Sequence, residues 1–338
     1  MRTAATWFLV ITACGGGASV PDDANFDGTM ADAVSIDAPD DAPADGVDAT
    51  PVDAPPLHCT ESQQMIADVT PLRIWSVAAL DDTVYFTTYD PDDLDGGGEV
   101  RAIAMSNLEV STVGTITGIA NLEAIDGWLY VADGGTVGSL WRYQSGQPVQ
   151  QLATNRSSVL AVAVDATQVY WREATSQSSM LMRAPLAGGA PSPIDEVDVW
   201  RLAVDDQRLY AVGFGAALGY RKDNWFRNWY AGGLLLATDV LIDDGELIVV
   251  DNLGVHAARP PSMTFTPLAT LPTQERHGGM TLRDNYLWIT AEGYGIKRVH
   301  RQGGSLEQVT LAAALGEPVF AGPYLAWRVD STLHRCVP

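Results

Sequence analysis

Six acidic residues recur at one place in a repeated pattern: Asp90, Asp133, Glu173, Asp251, Glu292 and Asp330. Each follows a short run rich in Val, Tyr, Trp or Ile. Carboxylates gathered on one face could bind a cation or a basic partner through their summed field. The same residue types also start turns and accept hydrogen bonds from nearby backbone. The sequence leaves both roles open.

Other candidate groups are scattered. The segment RKDNWFRNWY (221–230) concentrates Trp225, Phe226, Trp229 and Tyr230, which could form an exposed recognition patch or pack over an outer sheet edge. The five His, at 58, 256, 277, 300 and 334, show no metal-ligand spacing, and His277 falls in an expected loop between repeats. No G-x-S-x-G, P-loop or C-x-x-C occurs, so no catalytic residue and no metal site is assigned. Enzymes built on repeats do assemble sites from scattered positions, so catalysis stays open as the alternative.

Calcium is the one ion with candidate ligands, and no other cofactor is expected. Asp23, Asn25, Asp27 and Gly28 match the start of an EF-hand loop, but Val34 stands where the bidentate Glu should be. The run Asp90-Pro91-Asp92-Asp93-Leu94-Asp95, followed by Glu99, is the second candidate; it also suits a solvated acidic loop.

The formal net charge of −22 argues against nucleic acid as a partner. Residues 15–57 hold ten Asp and no Glu, Lys or Arg, amid Ala, Pro and Gly. Such a stretch buries too little apolar surface to offset its ordering entropy, so a disordered, extended tether is expected there. Before it, MRTAATWFLVITAC has a cationic start, an apolar run and small residues ahead of Cys14, a secretory-signal pattern. Ile11-Thr12-Ala13-Cys14 resembles the bacterial lipobox, which implies lipidation at Cys14 and a membrane-held, extracytoplasmic protein.

What must position the six acids is a repeat. AALDDTVYF (78–86), EAIDGWLYV (123–131), VAVDATQVYW (162–171), LAVDDQRLYAV (202–212), VLIDDGELIVV (240–250), MTLRDNYLWI (280–289) and PVFAGPYLAW (318–327) align. Their matched positions, Tyr85, Tyr130, Tyr170, Tyr210, Ile248, Trp288 and Ala326, lie 38 to 45 residues apart. Each unit reads as an apolar strand, a turn rich in Asp, Gly and Asn, and a second strand. Third and fourth strands follow around Gly-Gly punctuation, as in GIKRVHRQGGSLEQVTL (295–311). Four short strands per unit of about 40 residues predict an all-β fold, a β-propeller of seven four-stranded blades over residues 58–338.

Tyr170-Trp171-Arg172-Glu173 resembles the Tyr-Trp-Thr-Asp repeat of the low-density-lipoprotein-receptor propellers and related secreted bacterial proteins. Tyr130-Val131-Ala132-Asp133 and Ile248-Val249-Val250-Asp251 keep its last position. The resemblance spans most of residues 72–330 and implies a structural role for that acid. It also implies six blades, where this chain has seven hairpins.

The last unit stops after its third strand, and about one strand precedes the first. The N-terminal strand is therefore expected to complete the last blade and bring Cys59 beside Cys336 as a disulfide in an oxidising compartment. The functional expectation is a monomeric binding or scaffolding module at the bacterial cell envelope, at the outer membrane or cell surface. Its partner is a protein or envelope component of unknown identity. The alternative is a hydrolase or lyase using channel-facing acids and His277.

Overall fold

The computed structural model describes residue 59 and residues 63–174, 179–213, 215–272, 277–311 and 313–338. Cys14, the Asp-rich tether with its EF-hand-like run, and His58 lie outside the described residues.

Each repeat forms one antiparallel sheet of four strands, and there are seven such sheets. The first strands of blades one to seven are Arg73–Leu80, Ala120–Ile125, Val159–Val164, Arg201–Val204, Asp239–Asp243, His277–Arg283 and Leu315–Ala321. The second strands are Thr83–Asp90, Trp128–Asp133, Gln168–Ala174, Arg208–Val212, Glu246–Val250, Tyr286–Ala291 and Tyr324–Val329. First strands touch the first strands of both neighbouring blades, blade seven against blade one included, so the sheets close into a β-propeller. In blade seven the fourth strand is N-terminal: Gln64–Asp68 pairs antiparallel with Thr332–Cys336. Among the described residues no helix occurs.

The hairpin turns follow from their residues. Asp126-Gly127, Asp244-Gly245 and Asp284-Asn285 all take positive φ at both positions, as a two-residue turn of the right twist requires. In AVAVDATQVYW the turn is longer, and Asp165 organises it by accepting from the Thr167 and Gln168 N–H groups and from the Tyr170 hydroxyl at 2.7 Å. Asp205 repeats this one blade later with Gln207, Arg208 and Tyr210.

The hydrophobic core is divided into seven clusters, one at each junction between neighbouring blades. Tyr130 and Leu140 of blade two meet Val162 and Trp171 of blade three, for example. This is why the first strands are apolar on both faces: neither face meets water. Each fully buried large side chain, such as Phe86, Leu209 or Ile289, contributes about 1.5–3 kcal/mol.

Four blades carry a bulge in the first hairpin, and the residue that answers it is polar. The register slips in blades one, three, six and seven, and runs unbroken in two, four and five. Two residues beyond the aligned position stand Thr87, Arg172, Thr290 and Arg328 in the bulged blades, but Ala132, Val212 and Val250 in the others. A bulge leaves a backbone N–H without its ladder partner. Thr87 accepts the Ser76 N–H and donates to Ala120 O of the next blade; Thr290 accepts from Gly279 and donates to Gly316 O. Arg328 reaches Ile74 O across the seam, and Arg172 reaches Asp198. In blades one and six one threonine thus fills the bulge and ties a neighbour, whereas the two arginines, which can only donate, tie a neighbour.

Candidate functional site

The second strands all run the same way, so the six repeat acids sit at one face of the disc. The structure divides them. Asp133 is buried and accepts from the Thr117 N–H and hydroxyl, both at 2.9 Å, on the connector entering its blade. Asp251 is fully buried and accepts from the Leu235 N–H on the equivalent connector, from Leu253 and Gly254, and shares a hydrogen bond with His256 at 2.9 Å. Burial alone would raise the Asp251 carboxyl, but His256 and the Leu235 and Leu253 amides outweigh it and hold it low. Glu173 forms a bidentate pair with Arg156, the last residue of the fourth strand of blade two. Asp90 is half-buried and accepts the Asp92 N–H. Glu292 and Asp330 are exposed, with Arg73 4.0 Å from Asp330.

The aromatic segment divides as well. Trp229 is buried against Tyr210 and Phe265 and donates to Ser262 O at 2.6 Å. Trp225 packs on Tyr170 at 5.6 Å under the Arg183 guanidinium. Phe226 and Tyr230 stay outside, 67% and 55% exposed. Among the described residues, no three His, Cys, Asp or Glu side chains come together as a metal site requires. The acidic loop of blade one ties itself internally instead: Glu99 pairs with Arg101 at 2.8 Å.

A different set of charged side chains converges on the axis. Blades one, two, six and seven line a cavity of about 420 Å³ at the centre of the ring, and Glu123 of blade two and Glu317 of blade seven are among its walls. Asp239 of blade five and Arg201 of blade four complete the group, with Arg201 Nε 3.7 Å from Asp239 Oδ1. Asp239 is buried and well satisfied, accepting from the Val240 N–H at 2.8 Å and the Met280 N–H of blade six at 2.7 Å. Ser76 does the same between blades one and two, accepting the Leu122 N–H at 3.1 Å. Glu317 fits because blade six carries Gly279 opposite it, where a Cβ would meet the Glu317 Cα at 2.6 Å.

Three carboxyls around one guanidinium repel. Burial, then the Asp239 charge, pushes the Glu123 carboxyl up to about 8, with Arg201 opposing. Glu317 is raised well above the usual range by burial, Asp239 and Glu123. Asp239 is also raised by burial, against Arg201 and its two amide donors. Raised carboxyls in a cavity can hold and release a proton near neutral pH, or hold a cation.

Reading the sequence missed this group, although one signal was present. In the register, Glu123 lies opposite Tyr130 where other blades set Ala78, Ala163 and Ala203 opposite Tyr85, Tyr170 and Tyr210. An acid among small apolar residues at a repeat position marks the channel.

No protein-family model matches the chain, and no curated protein matches it. Solved structures do match. One is a crystal structure of a nidogen/laminin complex, 16% identical, with TM-score 0.44, over 55% of this chain and 75% of that one. That likeness carries no argument. Another is the computationally designed Ika8 protein, 12% identical, with TM-score 0.55, over 81% of this chain and all of that one; it shows a shared fold alone.

Proposed function

We propose that this chain is a lipid-anchored, extracytoplasmic β-propeller that serves as a binding or scaffolding module at the bacterial cell envelope, with Cys14 as the lipidated residue and residues 15–57 as a tether. The observation that carries the reading is the seam. A ring closed by a buried disulfide between Cys59 and Cys336 suits an oxidising exterior, and it begins directly after the Asp-rich stretch. Repeat acids that fasten connectors, together with a central cavity lined by Glu123 and Glu317, suit a rigid disc that presents a site. The buried Tyr170-Trp171 pair and the Glu173–Arg156 bridge agree with a Tyr-Trp-Thr-Asp-type propeller.

Fractionation of cells expressing the wild type and Cys14→Ser tests the anchor. The wild type is expected with membranes and the variant in the soluble fraction, since acyl chains supply most of the affinity. A variant that still pellets after a salt wash overturns it. Cross-linking in envelope extracts, followed by capture of the chain, tests the module; a captured envelope component absent from a denatured control supports it, and none overturns it.

A further inference from the structure

Arg208 and Arg221 stand directly opposite each other on the second and third strands of blade four, the third being Ala216–Arg221. Like charges in that relation repel across the ladder, so the pair does not hold the sheet together. At the same register, blades one, three and six pair Thr83 with Ala104, Gln168 with Pro185 and Tyr286 with His300. The fold therefore does not require two bases here. The chain has 42 acids against 20 Lys and Arg, yet Arg208 forms no ion pair among the described residues. Its charge faces the Tyr210 hydroxyl, and its Nε is buried without a hydrogen-bond partner. Buried donors are nearly always answered, so this guanidinium needs an explanation.

Both arginines line a cavity of about 410 Å³, where the first hairpin turn of blade four meets the loop after its third strand. Lys222 lines it too but is already held by Asp165 at 2.7 Å and by Asp205 O at 2.9 Å. Arg221 pairs with Asp223, and both of those side chains are half exposed, so this pair is weak and open to exchange. The other lining residues are Asp206, Gln207 and Asn228, and none is apolar. Such walls suit a ligand that is polar throughout. Guanidiniums match an anionic oxygen group, while carboxylates and amides match hydroxyls. Asp206 and Asp223 beside the two bases disfavour a polyanion.

We propose that this cavity binds a small anionic sugar, a hexuronate or a hexose phosphate, with Arg208 and Arg221 holding its anionic group; this rests on the binding-module reading and not on the anchor. Arg221 exchanges Asp223 for the ligand, and Arg208 gains the anion it lacks. Asp206, Gln207 and Asn228 face the hydroxyls. The volume lies within the ~300–1,000 Å³ of small-molecule pockets.

Calorimetric titration of the full chain in detergent with glucuronate, glucose 6-phosphate, glucose and inorganic phosphate is the test. One saturable site is expected for an anionic sugar, about tenfold or more tighter than for glucose or phosphate alone. The tighter of the two sugars identifies the source of the anion. Arg208→Gln and Arg221→Gln should each weaken binding about tenfold or more. Each also removes the like-charge opposition, so neither should lower the thermal melt. Asp223→Asn frees Arg221 and should tighten binding. Should an arginine variant fail to fold, unchanged or weaker binding in Asp223→Asn decides against the site. Phosphate bound as tightly as glucose 6-phosphate would reduce the cavity to a bare anion site and overturn the sugar. No saturable binding up to about 10 mM, or binding unchanged in the arginine variants, would overturn the proposal as a whole. An envelope component captured by a ring that ignores both sugars would refute this proposal and leave the module standing.

Discussion

The Cys59 and Cys336 α-carbons lie 5.4 Å apart and their sulfurs are bonded, across a sequence separation of 277. Both cysteines are buried in the cluster between blades six and seven, with Trp288, Leu325 and Trp327. Removing the bridge by Cys59→Ala with Cys336→Ala should cost a few kcal/mol, below the ~5 kcal/mol that the chain-entropy relation gives for such a loop. Hydrogen exchange should quicken at residues 63–70 and 318–338 and stay unchanged in blades two to five, because a ring elsewhere depends on neighbour contacts. Unchanged protection at the seam would mean that the strand pairing of Gln64–Asp68 suffices.

The repeat acids should separate by role. Asp133→Ala and Asp251→Ala each strand buried amides of a connector, so each should lower stability by about 1–3 kcal/mol in urea denaturation. Asp330→Ala, on the surface, should stay within about 0.5 kcal/mol. Equal effects at all three positions would count against the fastening role.

The channel carboxyls set a pH dependence. Burial and the Asp239 charge hold the folded Glu123 carboxyl at about 8, above its ordinary 4.5, so between these limits the folded ring binds more protons than the unfolded chain. Stability from this group is therefore lost as pH rises from about 4.5 to 8. Thermal melts should fall over that window in the wild type and flatten in Glu123→Gln. A wild-type melt that rises from pH 5 to 8 as steeply as the variant's would refute the assignment. Glu317, Asp239 and Arg201 face the group, and the Glu317 and Asp239 carboxyls shift the same way.

Asp165 runs the opposite way. Burial would raise its carboxyl, but Lys222, the Tyr170 hydroxyl and the Thr167 and Gln168 amides outweigh this and hold it far below the carboxylate range. Its contribution is present above pH 4 and lost as pH falls through the folded value. Asp165→Asn should destabilise the ring at pH 7 by about 1–3 kcal/mol and make the protein less sensitive to acid. An equal loss at pH 2 and pH 7 would contradict this.

The bulge-filling side chains make a last prediction. Thr290→Val keeps the shape but removes both the partner of the Gly279 N–H and the donor to Gly316 O. A loss of about 1–2 kcal/mol is expected by denaturation, whereas Val250→Thr in an unbulged blade adds a buried hydroxyl without a use and should also destabilise. If Val were harmless at 290, the bulge would not depend on the threonine.

Features with a short-range cause were legible in the chain alone. Alternation, Asp-Gly turns and a spacing near 40 residues announced the blades, because a hairpin is specified by its own dozen residues. The terminal half-units announced the closing strand and the cysteine pair, because seven sheets need 28 strands and the chain supplies the last from its start. Even the fastening role of Asp133 and Asp251 is one of the two roles that their residue type and repeat position allow. Which acids fasten, and that Trp225 and Trp229 turn inward while Phe226 and Tyr230 do not, depended on which neighbour each side chain meets. The channel group lay further out of reach. Glu123, Arg201, Asp239 and Glu317 come from four blades and are remote in sequence, and no local pattern relates them. They meet only because closing the ring brings seven first strands around one axis, where burial and mutual repulsion then set their charge.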